Sequence, residues 1–173
     1  MEFGKKIKNI ILVGLMGSGK TTVGMQLSKF FKKKFIDTDS LIESKTGVNV
    51  MTIFELEGEQ GFRRREKNLL NELLGQKNLV IATGGGIVIE DENRRLLQQL
   101  GTIFYLKANP LHLSNRLKKD KTRPLLQNVD LFVKLNDLFT QRDRLYRSVA
   151  NYIIETENKK LHEIKQEIIT KIS

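Results

Sequence analysis

Gly14-Leu15-Met16-Gly17-Ser18-Gly19-Lys20-Thr21-Thr22 carries the spacing G-x-x-x-x-G-K-[ST], the most chemically specific stretch of the chain. Glycines stand where backbone N–H groups must crowd around phosphate oxygens. Lys20 can bridge β- and γ-phosphates, and the Thr21 hydroxyl suits Mg²⁺. A helix opening there would add the positive end of its dipole. Gly17, Ser18, Gly19, Lys20, Thr21 and Thr22 are therefore expected to hold a nucleoside triphosphate. A glycine-rich turn could match the spacing by chance, but an apolar strand before it and an amphipathic helix after it favour the phosphate loop. The loop alone leaves the destination of the γ-phosphate open.

Two carboxylates, Asp37 and Asp39, flank Thr38. Asp is common at strand ends and before helices, so a turn or capping role is the bland reading. Beside a phosphate loop, however, phosphoryl transfer needs one carboxylate to serve Mg²⁺ through water and another to orient or deprotonate an acceptor hydroxyl. The stretch Ala82-Thr83-Gly84 lacks an acid that could act as a second metal contact, and Asp37 is the substitute. Gly84-Gly85-Gly86 would let a ligand lie against bare backbone. Arg63, Arg64 and Arg65 are expected at a helix start, where the dipole disfavours cations unless an anion is present. A guanidinium suits a carboxylate bidentately, and Glu66 can hold Arg63 at i, i+3. Arg123, before Pro124, is placed to arrive over phosphates as a mobile arginine, and Arg142 follows on the next helix. His112 and His162 have no ligand spacing and read as ordinary histidines.

The elements that position these residues alternate along the chain. The apolar run 10–13 is a strand, and Val23, Leu27, Phe30 and Phe31 make 20–31 a one-faced helix. A strand over 34–37 follows. Capping-box spacing then places helix starts at Ser40 and Thr52, with Gly47 as a stop. A longer helix beyond Gly58 and Gly61 ends at Gly75. Strands over 79–83, 102–106 and 152–155 alternate with helices over 91–100, 109–117, 131–149 and from Leu161 onward. Asn109 and Pro110 take the N-cap and first helical positions. The stretch 118–130 is aperiodic, as functional or mobile loops are. This order predicts an α/β domain, a parallel sheet of about five strands between helices. Ligands should gather beyond the carboxyl ends of the strands, where the phosphate loop, Asp37, Asp39 and Gly84–Gly86 would meet.

With 173 residues, 39% hydrophobic, 29% charged and two prolines, one ordinary globular domain is expected. No cysteine is present, which excludes disulfides and thiolate chemistry. No apolar run reaches a membrane span and no signal-like segment opens the chain, so a cytoplasmic protein without membrane partners is expected. The net charge of +10 is read as an attraction for small anions rather than a nucleic-acid footprint, because the lysine triplet 32–34 sits at a helix-to-strand connection while arginines punctuate the candidate site. A nucleotide- or nucleic-acid-binding module without catalysis ranks low, since no basic patch is interleaved with aromatics.

Beyond the phosphate loop, an ordered set resembles the shikimate kinase family: Phe35-Ile36-Asp37-Thr38-Asp39, Ile53-Phe54, Gly58-Glu59, Phe62-Arg63-Arg64, Gly84-Gly85-Gly86, Thr122-Arg123-Pro124-Leu125-Leu126, and Arg142 with Leu145-Tyr146-Arg147. The resemblance implies the P-loop kinase fold of the nucleoside monophosphate kinase type, with a substrate-binding region over 37–66 and a lid over 118–130. It implies transfer of the ATP γ-phosphate to the 3-hydroxyl of shikimate, with Mg²⁺, by a monomer. Asp39 would contact the acceptor hydroxyls as candidate base; Lys20 and Arg123 would act on the phosphates. Arg63 and Arg142 would clamp the carboxylate beside Gly85, and Phe54 and Phe62 would line the ring. Arg116 would lie near the adenine, and Thr21 and Asp37 would serve the metal. Where the family often carries an arginine near the adenine, this chain reads Thr156-Glu157-Asn158-Lys159-Lys160, and no nucleotide contact is assigned there. Thr21 replaces a frequent serine and keeps its hydroxyl. Another small P-loop kinase, acting on gluconate or a nucleoside monophosphate, is the alternative.

Overall fold

The period-two alternation of a strand explains why Ile10-Ile11-Leu12-Val13 is apolar without interruption. In the computed structural model, which describes residues 8–118 and 130–172, Ile11 and Val13 join one hydrophobic cluster and Ile10 and Leu12 another. The first cluster continues into the helices that carry Ile42, Phe62, Leu97 and Tyr146, and the second into those that carry Leu27 and Ile168. Strand β1 (Asn9–Val13) is therefore covered on both faces and buried throughout. Helices α1 (Lys20–Phe31) and α7 (Leu161–Ile172) lie on one side of the sheet. Helices α2 (Thr38–Thr46), α3 (Val50–Leu73), α4 (Asp91–Leu100), α5 (Pro110–Lys118) and α6 (Leu131–Val149) supply the other cluster.

Among the described residues the sheet has five parallel strands in the order β2-β3-β1-β4-β5, with β2 at Lys34–Asp37, β3 at Leu79–Ala82, β4 at Gly101–Lys107 and β5 at Tyr152–Glu155. Asp37 pairs in register with Ala82, and Leu12 with both Ala82 and Phe104. The chain leaves β1 for α1 and returns on one side, while β4 lies on the other; this is the switch point at which open α/β sheets bind ligands. No helix among the described residues is long and apolar enough to cross a membrane.

The helix starts differ from the capping-box expectation in a consistent way. Helix α2 is capped by Asp37, whose carboxylate accepts from the Ser40 amide at 3.1 Å. Helix α3 is capped by Asn49, which accepts from the Thr52 amide at 2.8 Å. Ser40 and Thr52 are thus the capped residues, not the caps, because a stronger acceptor stands three positions ahead of each. The two helices expected on either side of Gly58 are both present: α3 is two helical segments joined by a kink at Gly58, which takes φ 68° and ψ 179°, a conformation that favours glycine. Gly47 does end α2, in a left-handed conformation.

Candidate active site

Helix α1 begins after Gly19 with no capping side chain and no acid in its first turn. Its first amides are left for an anion, as phosphate binding at a helix N-terminus requires. The Lys20 ammonium lies over the loop and donates to the carbonyls of Gly14 and Leu15, each at 2.8 Å. The Thr21 hydroxyl donates to the second oxygen of Asp37 at 2.9 Å. Asp37 thus serves both readings: one oxygen caps α2 and the other faces Thr21. Two oxygen donors beside a phosphate loop form the kind of set in which Mg²⁺ is held together with phosphates.

A crevice of about 960 Å³ opens at the carboxyl end of the sheet. Gly17, Gly19, Lys20, Thr21 and Thr22 line one wall, and Asp37, Asp39, Thr83, Gly84 and Gly85 another. Arg116 reaches it from α5 and donates to the Gly17 carbonyl at 2.8 Å. Ser18 is fully buried beneath the loop. Lys159, Lys160, Leu161 and His162 also line the crevice, against the expectation of no nucleotide contact at 156–160 and of an ordinary histidine at 162. No motif marks these residues. The pairing of β5 with β4 and the packing of Leu161 beside Gly19 bring the turn after β5 to the phosphate loop.

Behind the crevice, Gly84 and Gly86 admit side chains that a Cβ would exclude. A Cβ on Gly84 would stand 2.5 Å from Asp39 Oδ1, and one on Gly86 would stand 2.3 Å from Arg63 Nη2. The loop is latched to β1 by the Thr83 hydroxyl, which donates to the Leu12 carbonyl at 2.9 Å. The Gly84 amide donates to the Thr38 hydroxyl at 3.0 Å. Asp39 and Arg63 therefore approach a fixed backbone, and Arg142 Nη1 comes to the same loop beside Gly85.

Charge and burial set the state of these groups. Burial, and then the neighbouring Asp37, hold the Asp39 carboxyl above the ordinary range, while Lys20 pulls the other way. Arg63 is 8% exposed. It donates to Glu66 at 2.6 Å and to Glu59 at 3.2 Å, so the anion that a cation near the break in α3 needs comes from its own helix. Burial lowers its pKa, but the two glutamates outweigh that and raise it. Glu66 is fully buried, and burial raises its carboxyl to about 7. Arg64 is exposed and Arg65 pairs outward with Glu57, so one of the three arginines faces the site. Phe54 and Phe62 stand 4.9 Å apart, with the Arg63 guanidinium over the Phe62 ring at 5.4 Å. Asp39 Oδ1, Arg63 Nε, Glu66 Oε1 and Arg142 Nε are buried without a hydrogen-bond partner, which leaves polar capacity at the acceptor side. Arg123 lies outside the described residues, as does 119–129 of the expected lid.

A phosphate loop, a carboxyl held above its usual range and two arginines at a bare glycine backbone are the parts of a phosphoryl-transfer site with an anionic acceptor. The family model for shikimate kinase matches residues 16–173. The shikimate kinase of Nitrosospira multiformis is 47% identical over 95% of this chain and 85% of its own length. The chain belongs to the shikimate kinase family. The Burkholderia thailandensis shikimate kinase is 51% identical over 86% of this chain and 80% of its own. The structure of shikimate kinase from Acinetobacter baumannii in complex with shikimate superposes with a TM-score of 0.89 at 47% identity, covering 96% of this chain and 93% of that one. As a member of the shikimate kinase family the chain is an ATP-dependent kinase with a small-molecule substrate, and its fold is the one that the parallel sheet and phosphate loop imply.

Proposed function

We propose that the chain transfers the γ-phosphate of ATP to the 3-hydroxyl of shikimate, with donor and acceptor meeting at Gly84–Gly86. The observation that carries this reading is the convergence of Asp39, Arg63 and Arg142 on three successive glycines, of which Gly84 and Gly85 line the same crevice as Lys20. Asp39 takes the hydroxyl proton, a role its raised pKa suits. Arg63 and Arg142 clamp the carboxylate, and Gly85 offers its backbone. Phe54 and Phe62 cover the ring, and Lys20 with the amides of α1 holds the migrating phosphoryl group. Thr22 and Arg116 extend the nucleotide wall, and Arg123, outside the described residues, is the arginine expected to act on the phosphates. Thr21 and Asp37 would hold Mg²⁺, which would supply neutralisation of phosphate charge.

ADP release measured with shikimate, gluconate and AMP as acceptors tests this. Turnover with shikimate alone is expected. Faster turnover with gluconate or AMP would replace the reading with another small-molecule kinase.

A further inference from the structure

Tyr146 is fully buried on α6, one turn beyond Arg142, yet it is a tyrosine and not a phenylalanine. A buried phenol hydroxyl is unfavourable unless it finds a partner. Here it donates to the carbonyl of Gly85 at 2.5 Å, sixty-one residues away in sequence. Arg142 Nη1 gathers at the same place, 3.5 Å from where a Gly85 Cβ would stand. The Arg142 guanidinium is also within electrostatic reach of the Tyr146 hydroxyl.

The bond fixes a peptide plane. In a trans peptide the carbonyl and the next N–H point in opposite directions, so anchoring the Gly85 carbonyl on α6 turns the Gly86 amide away from that helix. The preceding plane is held by the Ile87 amide, which donates to the Gly84 carbonyl at 3.2 Å. Between two fixed planes, the Gly85 amide has one orientation.

The geometry points to Tyr146 as a positioning residue for the acceptor: its hydroxyl ties the glycine loop to α6, so that Gly85 and Arg142 are presented at one spacing. This rests on the acceptor reading above. Tyr105 supplies an internal comparison. Its ring packs on Tyr146 at a centroid distance of 4.8 Å, but its hydroxyl donates to Asp143 at 2.8 Å and not to the glycine loop.

Steady-state kinetics of Tyr146→Phe and Tyr105→Phe separate positioning from packing. Tyr146→Phe should raise the KM for shikimate about tenfold, the size of one hydrogen bond in a charged setting, with the KM for ATP within about twofold. Tyr105→Phe should lower the melting temperature while leaving the shikimate KM within about twofold. Combining Tyr146→Phe with Arg142→Lys should raise KM by less than the product of the single effects. An unchanged shikimate KM in Tyr146→Phe, an equal rise in Tyr105→Phe, or strictly multiplicative effects would each overturn the role. Absence of shikimate turnover in the unaltered enzyme would remove the acceptor reading and this inference with it. An active enzyme with an unaffected Tyr146→Phe variant would remove only the inference.

Discussion

Arg63 reaches across one turn of α3 to Glu66, with 2.6 Å between its Nη1 and a carboxylate that has no exposure to solvent. The cation proposed to meet the acceptor carboxylate is therefore already oriented and partly balanced before any ligand arrives. Such a pair makes the guanidinium a rigid fork rather than a loose charge.

Arg63→Lys keeps the charge and loses the fork. It should raise the KM for shikimate on the order of tenfold to a hundredfold while leaving the KM for ATP nearly unchanged. Arg63→Ala should in addition destabilise the fold by about 1–3 kcal/mol, because the buried Glu66 carboxyl would lose its hydrogen-bond donor. Equal losses for the two substrates in the lysine variant would contradict the assignment.

Glu66 gives the protein a pH dependence whose sign follows from burial. The folded state keeps the carboxyl protonated up to about 7, whereas the unfolded chain releases the proton near the ordinary value of 4.5. Between those values the folded state binds the extra proton, so stability from this group is present below the lower value and is lost as pH rises through the upper one. The loss should be on the order of 1–3 kcal/mol. Urea unfolding of the unaltered protein and of Glu66→Gln, at about pH 5 and about pH 7.5, measures it. The glutamine variant should show the smaller change, and parallel changes in both proteins would assign the effect elsewhere.

Gly84 and Gly86 should separate two kinds of loss. Alanine at Gly84 places its Cβ against Asp39 Oδ1, and alanine at Gly86 places it against the Arg63 guanidinium. Gly84→Ala is expected to lower kcat by roughly a hundredfold, through displacement of the proton acceptor. Gly86→Ala is expected to act chiefly on the KM for shikimate. Identical profiles from the two variants would mean that the loop moves as a unit and that neither contact is specific.

Much of this arrangement was legible because it rests on local rules. The limits of α1 follow from the phosphate loop and from Val23, Leu27 and Phe31, and the i, i+3 spacing alone pairs Arg63 with Glu66. The continuous apolar runs of β1 and β3 required cover on both faces and hence a parallel sheet. The helix starts of α2 and α3 were placed one turn late, since Ser40 and Thr52 resemble caps while Asp37 and Asn49 outcompete them. Lys159 to His162 and the tether from Tyr146 to Gly85 left no local trace. Each depends on which strands lie side by side, and that is decided by packing over the whole sheet.

The enclosure of β1 has a consequence for how order is lost. Its amides, bonded into a ladder with β3 on one side and β4 on the other, reach solvent only when the domain opens as a whole. Asp39 and Arg63 ride instead on α2 and α3, which follow β2 at the margin of the sheet. That margin can fray by local opening while the central ladder stays closed. The phosphate loop that follows β1 should thus lose its shape after the margin that carries Asp39 and Arg63.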